Sequence, residues 1–521
     1  MPSPSRSRPS ALIARWNAHA STARVAVWDE AGEHGFGAID ARARAIAATL
    51  LDGRASLEGE RVAVLAPPGA SFVAAFFGVL HAGGSVVVLS PLHPPRETEY
   101  VCEHAEVRAL LVAPALSERV GSLAAGRRVL SLGDGALGGA EGAGRELASP
   151  ADDDAALQLY TSGTTGKPKG AILTHENLAV QQGLLGRAWG FCAGDVLLHA
   201  LPLHHLHGLA VALLTALGAG ARTRILPGFD ARSTWDAMAD CTVFMAVPTM
   251  YAKLFAALDG ADPTTRARWS ASARALRLAT SGSAALPATL AERWRSVTGA
   301  YPLERFGMTE IGVGIANPLE GARRPGYVGM PLPSVETRVV SDDLLDAPSG
   351  ELWIRGPSVF RGYWRDDEAT RQAFAEGGWF RTGDTVTRDE VGYFKILGRT
   401  SVDILKSGGY KLSALEIEEV LRENGAVADV AVIGVPDETW GERVVACVVP
   451  APGRDAECAE EALRAFCRAR LASYKVPKTV LVLGELPRNV MGKVVKPELS
   501  RQVAGFLVRG GEAAEKSTKV R

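Results

Sequence analysis

Between Val62 and Pro95 the chain carries no Asp, Glu, Lys or Arg, and this stretch restricts the fold more than any other. Pro67, Pro68, Gly83 and Gly84 interrupt it, so it lacks the unbroken apolar run of about 20 residues that a spanning helix needs. It reads instead as a strand, Arg61–Ala66 (R-V-A-V-L-A), a helix, Ala70–Ala82, and a second strand, Ser85–Leu89 (S-V-V-V-L). Strands apolar on both faces and joined by a helix belong to a parallel sheet covered on both sides. Further strands are expected at Val107–Val112, Arg128–Leu132, Ala156–Tyr160, Val196–Leu201, Thr242–Ala246 and Leu276–Ala279. A second charge-free stretch, Val196–Ala221, holds Pro202 and four histidines and reads the same way. The fold class is α/β, with a helix, Ala11–Ala20, ahead of the first strands.

From Val335 to Arg381, Val and Thr alternate with polar residues between Gly and Pro, the pattern of a smaller β-rich unit. After Gly398 the order becomes helix (Ala414–Glu423), strand (Val427–Ile433), strand (Arg443–Val449), helix (Glu460–Arg470) and strand (Thr479–Val482), a small α+β unit. We therefore expect a large N-terminal domain over 1–397, a small mobile C-terminal domain over 398–505, and a frayed polar tail over 506–521. The Gly/Ala/Asp-rich run 133–156 reads as a surface loop.

Hydrophobic residues make up 47% of the 521, enough for real cores, and Lys+Arg 57 against Asp+Glu 58 leaves a net charge of -1. No whole-chain field draws the protein to nucleic acid or an anionic membrane, and neither is expected as a partner. The six cysteines include no C-x-x-C pair, which excludes a zinc ribbon or redox pair and fits a reducing compartment. The expected address is the cytoplasm. The Arg/Ser-rich start, with no acid before Asp29, is the one feature that would suit a transit peptide to the mitochondrial matrix.

The strongest chemical signal is Tyr160–Gly170, Y-T-S-G-T-T-G-K-P-K-G. It follows a strand and precedes a helix-like segment. Thr161, Ser162, Gly163, Thr164, Thr165, Gly166 and Lys167 offer hydroxyls, unhindered backbone N–H groups and a cation to a phosphate. It is not a P-loop, because Lys167 is followed by proline.

This segment resembles the phosphate loop of the adenylate-forming superfamily, which includes acyl-CoA synthetases, peptide-synthetase adenylation domains and beetle luciferases. Four more landmarks follow in the family's order: Phe306–Glu310 (F-G-M-T-E), Thr382–Asp384 (T-G-D), the run opening at Gly398 (G-R-T-S-V-D-I-L-K-S-G-G-Y-K) and Pro487–Lys493 (P-R-N-V-M-G-K). The resemblance spans about Ala23 to Pro497. It implies ATP, Mg²⁺ and coenzyme A as co-substrates and cofactor, and a monomer or weak homodimer. It also assigns residues. Lys493 bridges the substrate carboxylate and the α-phosphate, Thr309 touches the α-phosphate, and Glu310 helps hold Mg²⁺. Asp384 grips the ribose hydroxyls, with Arg399 beside it. Adenine lies between Ser281–Ala285 (S-G-S-A-A), with Ser283 and Ala284 at its centre, and the ring of Phe306, with Gly307 and Met308 following. Gly408, Gly409, Tyr410 and Lys411 line the thiol tunnel. The family's hinge position holds the uncharged Ser401, with Asp403 two residues on as the other candidate.

The run from Glu304 to Pro333, with Leu201–Leu209 (L-P-L-H-H-L-H-G-L) and Val247–Tyr251 (V-P-T-M-Y), is similar to malonyl-CoA synthetases. That likeness implies malonate as the carboxylate substrate, Arg324 (with Arg323 behind it) holding its distal carboxylate, and His207 lining the acyl pocket. The alternatives are methylmalonate, a short or medium monocarboxylate, or transfer to a carrier-protein pantetheine. Retention of Lys493, Glu310, Asp384 and Arg399 argues against a non-catalytic relative. His199, His204, His205 and His207 raise a zinc reading, which the lack of a local carboxylate or Cys sets aside.

Overall fold

The protein is seen in a computed structural model that describes residues 8–133, 147–161, 168–488 and 494–504. Two compact units emerge. The first comprises Met1–Leu286, Leu290–Thr337 and Ile354–Phe380; the second comprises Pro287–Thr289, Arg338–Trp353 and Arg381–Arg521.

Two sheets organise the first unit. One has seven strands in the order Gly362–Tyr363, Lys169–Thr174, Ala155–Thr161, Ser85–Val88, Arg61–Leu65, Ala109–Val112 and Arg128–Ser131. From Ala155–Thr161 to Arg128–Ser131 neighbours are parallel, as the apolar runs predict. The helix between Arg61–Leu65 and Ser85–Val88 spans Ala70–His81 and is buried along almost its whole length. That burial explains why the segment needs no charge. The other sheet has nine strands, with Leu303–Met308, Leu278–Ser281, Val243–Ala246, Val196–His199 and Arg222–Ile225 running in parallel through its centre.

The structure corrects the surroundings of the Ser/Thr/Gly loop. Gly170–Thr174 (G-A-I-L-T) is not the opening of a helix but part of a strand, Lys169–Thr174, antiparallel to Ala155–Thr161 with Thr161 facing Lys169. The loop therefore joins two antiparallel strands. The helix that follows starts only at His175, capped by Thr174 and Asn177. No helix N-terminus directly follows the loop in sequence.

In the second unit, Trp379–Arg388 and Phe394–Arg399 pair antiparallel, which draws 381–397 toward the C-terminal residues. A single cut at 397/398 does not describe the compact units: 338–353 also lies with the second. The C-terminal sheet runs Tyr410–Ser413, Ile404–Ser407, Gly441–Pro450 and Val427–Asp437, with Thr479–Val482 parallel to Gly441–Pro450. Strand alternation builds its two cores. Val430, Val432, Val444 and Ala446 pack with Ile417, Leu421 and Leu463. Ala431, Ile433, Val445 and Cys447 pack with Leu486, Leu499 and Val503. Among the described residues no helix is long and apolar enough to cross a membrane.

Candidate active site

The first unit's part of the site gathers on the hairpin Leu303–Met308/Gly312–Ala316. Thr309 and Glu310 occupy its turn. Glu310 is buried, 5% exposed. Tyr363 Oη donates to its Oε1 at 2.9 Å, and its carbonyl accepts from Phe360 N at 2.7 Å. A buried carboxylate presenting hard oxygens suits Mg²⁺. Phe306, Gly307 and Met308 are half-buried at the strand's end. Ser283 holds a left-handed φ of 68°, a conformation rare for L residues and typical of functional turns; Ala284 beside it is exposed.

His207 opens a π-helical turn, His207–Leu213. Its Nδ1 and Ser283 Oγ lie 3.2 Å apart in a hydrogen bond, while Nε2 is buried without a partner among the described residues. Burial, with the charge of Arg305 second, holds the imidazole well below its ordinary pKa, so His207 is neutral. His199 Nε2 donates to Gly208 O at 2.8 Å and burial lowers its pKa to about 4; burial likewise takes His204 to about 3. His199, His204 and His207 are thus neutral, and among the described residues no group of three potential ligands could hold a metal ion.

Arg305 is the residue that sequence reading passed over. It is 5% exposed, and its Nε and Nη2 have no hydrogen-bond partner among the described residues. Burial alone lowers its pKa, to about 10. Gly282 makes the space: a Cβ there would stand 2.5 Å from Arg305 Nε and Cζ. A buried guanidinium without an anion is costly, and here it lies close enough to depress His207.

Arg323 corrects an expectation. Its guanidinium donates to the carbonyls of Tyr301 (2.8 Å), Leu319 (2.9 Å) and Pro318 (3.4 Å), so it fastens its own loop and has little left for a substrate. Arg324 is half-buried in that loop, its N–H donating to Asn317 Oδ1. Gly326 N–H donates to Glu304 Oε1. The signal for Arg305 was present in E-R-F-G-M-T-E, but only burial without a partner separates it from other arginines.

In the second unit, Asp384 faces Arg399 across the strand pair. Arg399 Nε lies 3.3 Å from Asp384 Oδ1, and Nη1 donates to Thr382 O at 2.7 Å. Asp384 is 6% exposed, while the Arg399 side chain stays partly exposed, so carboxylate and guanidinium stand side by side. Gly408 and Gly409 form a left-handed turn with φ of 58° and 81°. Trp440 packs on Gly408, with Lys478 Nζ 4.1 Å above its ring. Exposed Tyr410 stacks on Tyr474 at 4.4 Å, and Lys411 pairs with Asp342. The hinge candidates part company. Ser401 is exposed. Asp403 is not free to pivot, because Oδ2 accepts from Arg399 N at 3.0 Å and Oδ1 from Lys496 Nζ. Ser162, Gly163, Thr164, Thr165, Gly166, Lys167, Lys493 and the tail 506–521 lie outside the described residues.

Residues 14–364 match the AMP-binding enzyme family and residues 416–493 the AMP-binding enzyme C-terminal domain. The chain belongs to the AMP-binding enzyme family. It is 42% identical to the mitochondrial malonate–CoA ligase ACSF3 of Mus musculus, over 92% of this chain and 88% of that protein. It is 38% identical to the malonate–CoA ligase of Arabidopsis thaliana, over 87% and 79%. Among solved structures, ATP-bound MatB from Rhodopseudomonas palustris superposes with a TM-score of 0.86 at 35% identity, covering 96% of this chain and 99% of that one.

Proposed function

We propose that this AMP-binding enzyme is an ATP-dependent malonate–CoA ligase. A malonate carboxylate oxygen attacks the α-phosphorus of ATP and pyrophosphate leaves, giving malonyl-adenylate. The coenzyme A thiol, losing its proton, then attacks the acyl carbon and AMP departs. The observation that carries the choice of substrate is Arg305, a buried cation with no anion among the described residues, beside neutral His207, whose Nε2 can donate or accept. A carboxylate remote from the reacting one completes both. Arg305, rather than Arg324 or Arg323, takes that distal carboxylate.

Around it, Lys493, Thr309 and the loop Thr161–Lys167 serve the phosphates, and Asp384 and Arg399 the ribose–phosphate region. Phe306 and the Ser283–Ala284 turn serve adenine. Glu310 would hold Mg²⁺, which supplies charge neutralisation to the phosphates. Ser401 is the pivot about which the C-terminal domain rotates between half-reactions. The thiol enters past Gly408–Lys411. Exposed Trp440, with Lys478 and Tyr410–Tyr474 nearby, offers a stacking face and positive charge for the nucleotide of coenzyme A. A carrier-protein pantetheine has no such nucleotide, so this surface favours the free coenzyme. The enzyme acts as a monomer or weak homodimer in the cytoplasm, without nucleic-acid or membrane partners.

The test is AMP release with ATP, Mg²⁺ and coenzyme A across malonate, methylmalonate, succinate, acetate, propionate and octanoate. Malonate should lead by orders of magnitude in kcat/KM; a leading monocarboxylate would overturn the substrate and keep the adenylation.

A further inference from the structure

Glu351 has no role in the reading above, yet both of its carboxylate oxygens are engaged. It lies on the strand Ser349–Arg355, whose residues as far as Trp353 belong to the second unit. Residues two apart on a strand share a face, and Trp353 Nε1 donates to Glu351 Oε2 at 3.0 Å. Trp353 is itself buried, with Arg381 Cζ 5.0 Å from the centroid of its ring. The other oxygen, Oε1, accepts from the backbone N–H of Gly383 at 3.0 Å. Gly383 is the middle residue of T-G-D and holds a left-handed φ of 70°, which glycine adopts without the steric cost a side chain would add.

The rest of that turn is equally engaged. Thr382 is 2% exposed; its Oγ1 donates to Leu352 O at 2.7 Å and accepts from Asp384 N at 3.1 Å. Gly383 O accepts from Thr400 N at 2.9 Å, and Thr382 O accepts from Arg399. The turn is thus fastened to Glu351 and Leu352 on one side and to Arg399 and Thr400 on the other. Leu352 and Thr400 contribute backbone groups that any residue could supply there, whereas Glu351 contributes a side chain. A carboxylate presents an acceptor on each oxygen and so meets both N–H groups; an amide would set its NH2 against one of them. The bond to Gly383 matters for direction. Glycine has the widest rotational freedom of any residue, and the peptide that it begins leads directly to Asp384. A restraint on the Gly383 N–H is therefore a restraint on where the Asp384 carboxylate points.

We propose that Glu351 is a positioning residue for nucleotide recognition: by accepting the Gly383 N–H it fixes the Thr382–Asp384 turn so that the Asp384 carboxylate meets the ribose hydroxyls of ATP. The proposal rests on the reading of Asp384 as the ribose-binding group.

Sugar discrimination tests it. kcat/KM is measured for ATP, 2′-deoxy-ATP and 3′-deoxy-ATP by malonate-dependent pyrophosphate release, with folds checked by circular dichroism and thermal melting. Because Glu351→Met alone would leave the Trp353 N–H without its acceptor, the variants are built on Trp353→Phe. In that background Glu351→Gln keeps an oxygen for Gly383, and Glu351→Met has the same length and no acceptor. The wild type and the Glu351→Gln variant should prefer ATP over the deoxy analogues by at least about tenfold, the worth of one hydrogen bond to a charged group. In the Glu351→Met variant that preference should fall about tenfold, the loss falling mainly on ATP. Glu351→Asp in the wild-type background, a methylene short of Gly383 with its charge kept, should lose preference in the same direction and carries the test if the Glu351→Met variant fails to fold. A merely structural role would lower all three nucleotides equally and leave the ratios unchanged; that result, or an equal collapse in the Glu351→Gln and Glu351→Met variants, would overturn the proposal. Asp384→Ala is run alongside. If it keeps the wild-type preference, the ribose reading of Asp384 fails; if it loses the preference while the Glu351→Met variant keeps it, the positioning role alone fails.

Discussion

Replacing Arg305 by Met should separate malonate from other carboxylates. In the wild type the guanidinium is 5% exposed and its pKa falls from 12.5 to about 10 through burial alone, a cost of about 3 kcal/mol at about 1.4 kcal/mol per pH unit. The cost is borne by the free protein and relieved by a bound carboxylate. Truncating one partner of a buried charge pair removes about 2–5 kcal/mol of binding, so kcat/KM for malonate should fall about 30- to 5,000-fold. Propionate has no distal carboxylate and loses nothing; relieved of an orphan charge, it should react at least as well. The free variant should melt no lower than the wild type, and malonate should raise the melting temperature of the wild type only. Coupled AMP release with both acids, and thermal melts with and without malonate, read these outcomes. Equal losses on malonate and propionate would refute the assignment. So would a malonate-selective collapse in Arg324→Met with Arg305→Met unaffected.

Gly282→Ala should raise KM for malonate more than for propionate, because the new Cβ would meet Arg305 at 2.5 Å and push the guanidinium aside; steady-state kinetics on both acids checks it. Trp440→Ala should raise KM for coenzyme A by the roughly 1–3 kcal/mol of a base–aromatic stack, with KM for ATP unchanged in the same assay. Asp40 is buried with His81, Arg44 and Trp16 on its carboxylate; burial alone would raise its pKa, but these bonds together bring it down to about 2. A carboxylate depressed from 3.8 contributes stability that is present above that value and lost as pH falls through about 2. Asp40→Asn should therefore cost about 1–2 kcal/mol near pH 7, and urea denaturation should show the gap closing as pH approaches 2.

The elements legible in the sequence were those whose burial left a pattern. Ala11–Ala20 and Thr479–Val482 match the reading exactly in extent, and the strands around the charge-free stretch differ by a residue or two at their ends. Two things were not legible. The strand Lys169–Thr174 runs straight into a helix at His175, and its pairing with Ala155–Thr161 is set by residues outside it. The division into units was equally hidden, because 338–353 joins the C-terminal residues through packing and not through composition. At the site, the acids and the cation could be picked out by residue type, and the structure buries Glu310 on the hairpin turn and sets Asp384 beside Arg399. Chemistry carried by the absence of a partner was not legible. Arg323, Arg324 and Arg305 are identical letters; one is bound to three carbonyls, one sits half-buried in a loop, and one is buried without a counter-charge among the described residues.

That last difference bears on how such an enzyme chooses its acid. Specificity is a difference between affinities, and it can come from penalising the wrong ligand as well as rewarding the right one. With malonate bound, Arg305 gains the anion it lacks and His207 Nε2 gains a partner. With a monocarboxylate of similar length both remain buried and unsatisfied, and an unpaired polar site rejects such an analogue far more strongly than an apolar pocket rejects an extra methylene. On the proposed reading, the cost of burying these groups without a partner is the source of the discrimination. A substitution that relaxes it, such as Arg305→Met, should raise stability and broaden the acid range together, and a variant that gained one without the other would show that the two are not the same energy.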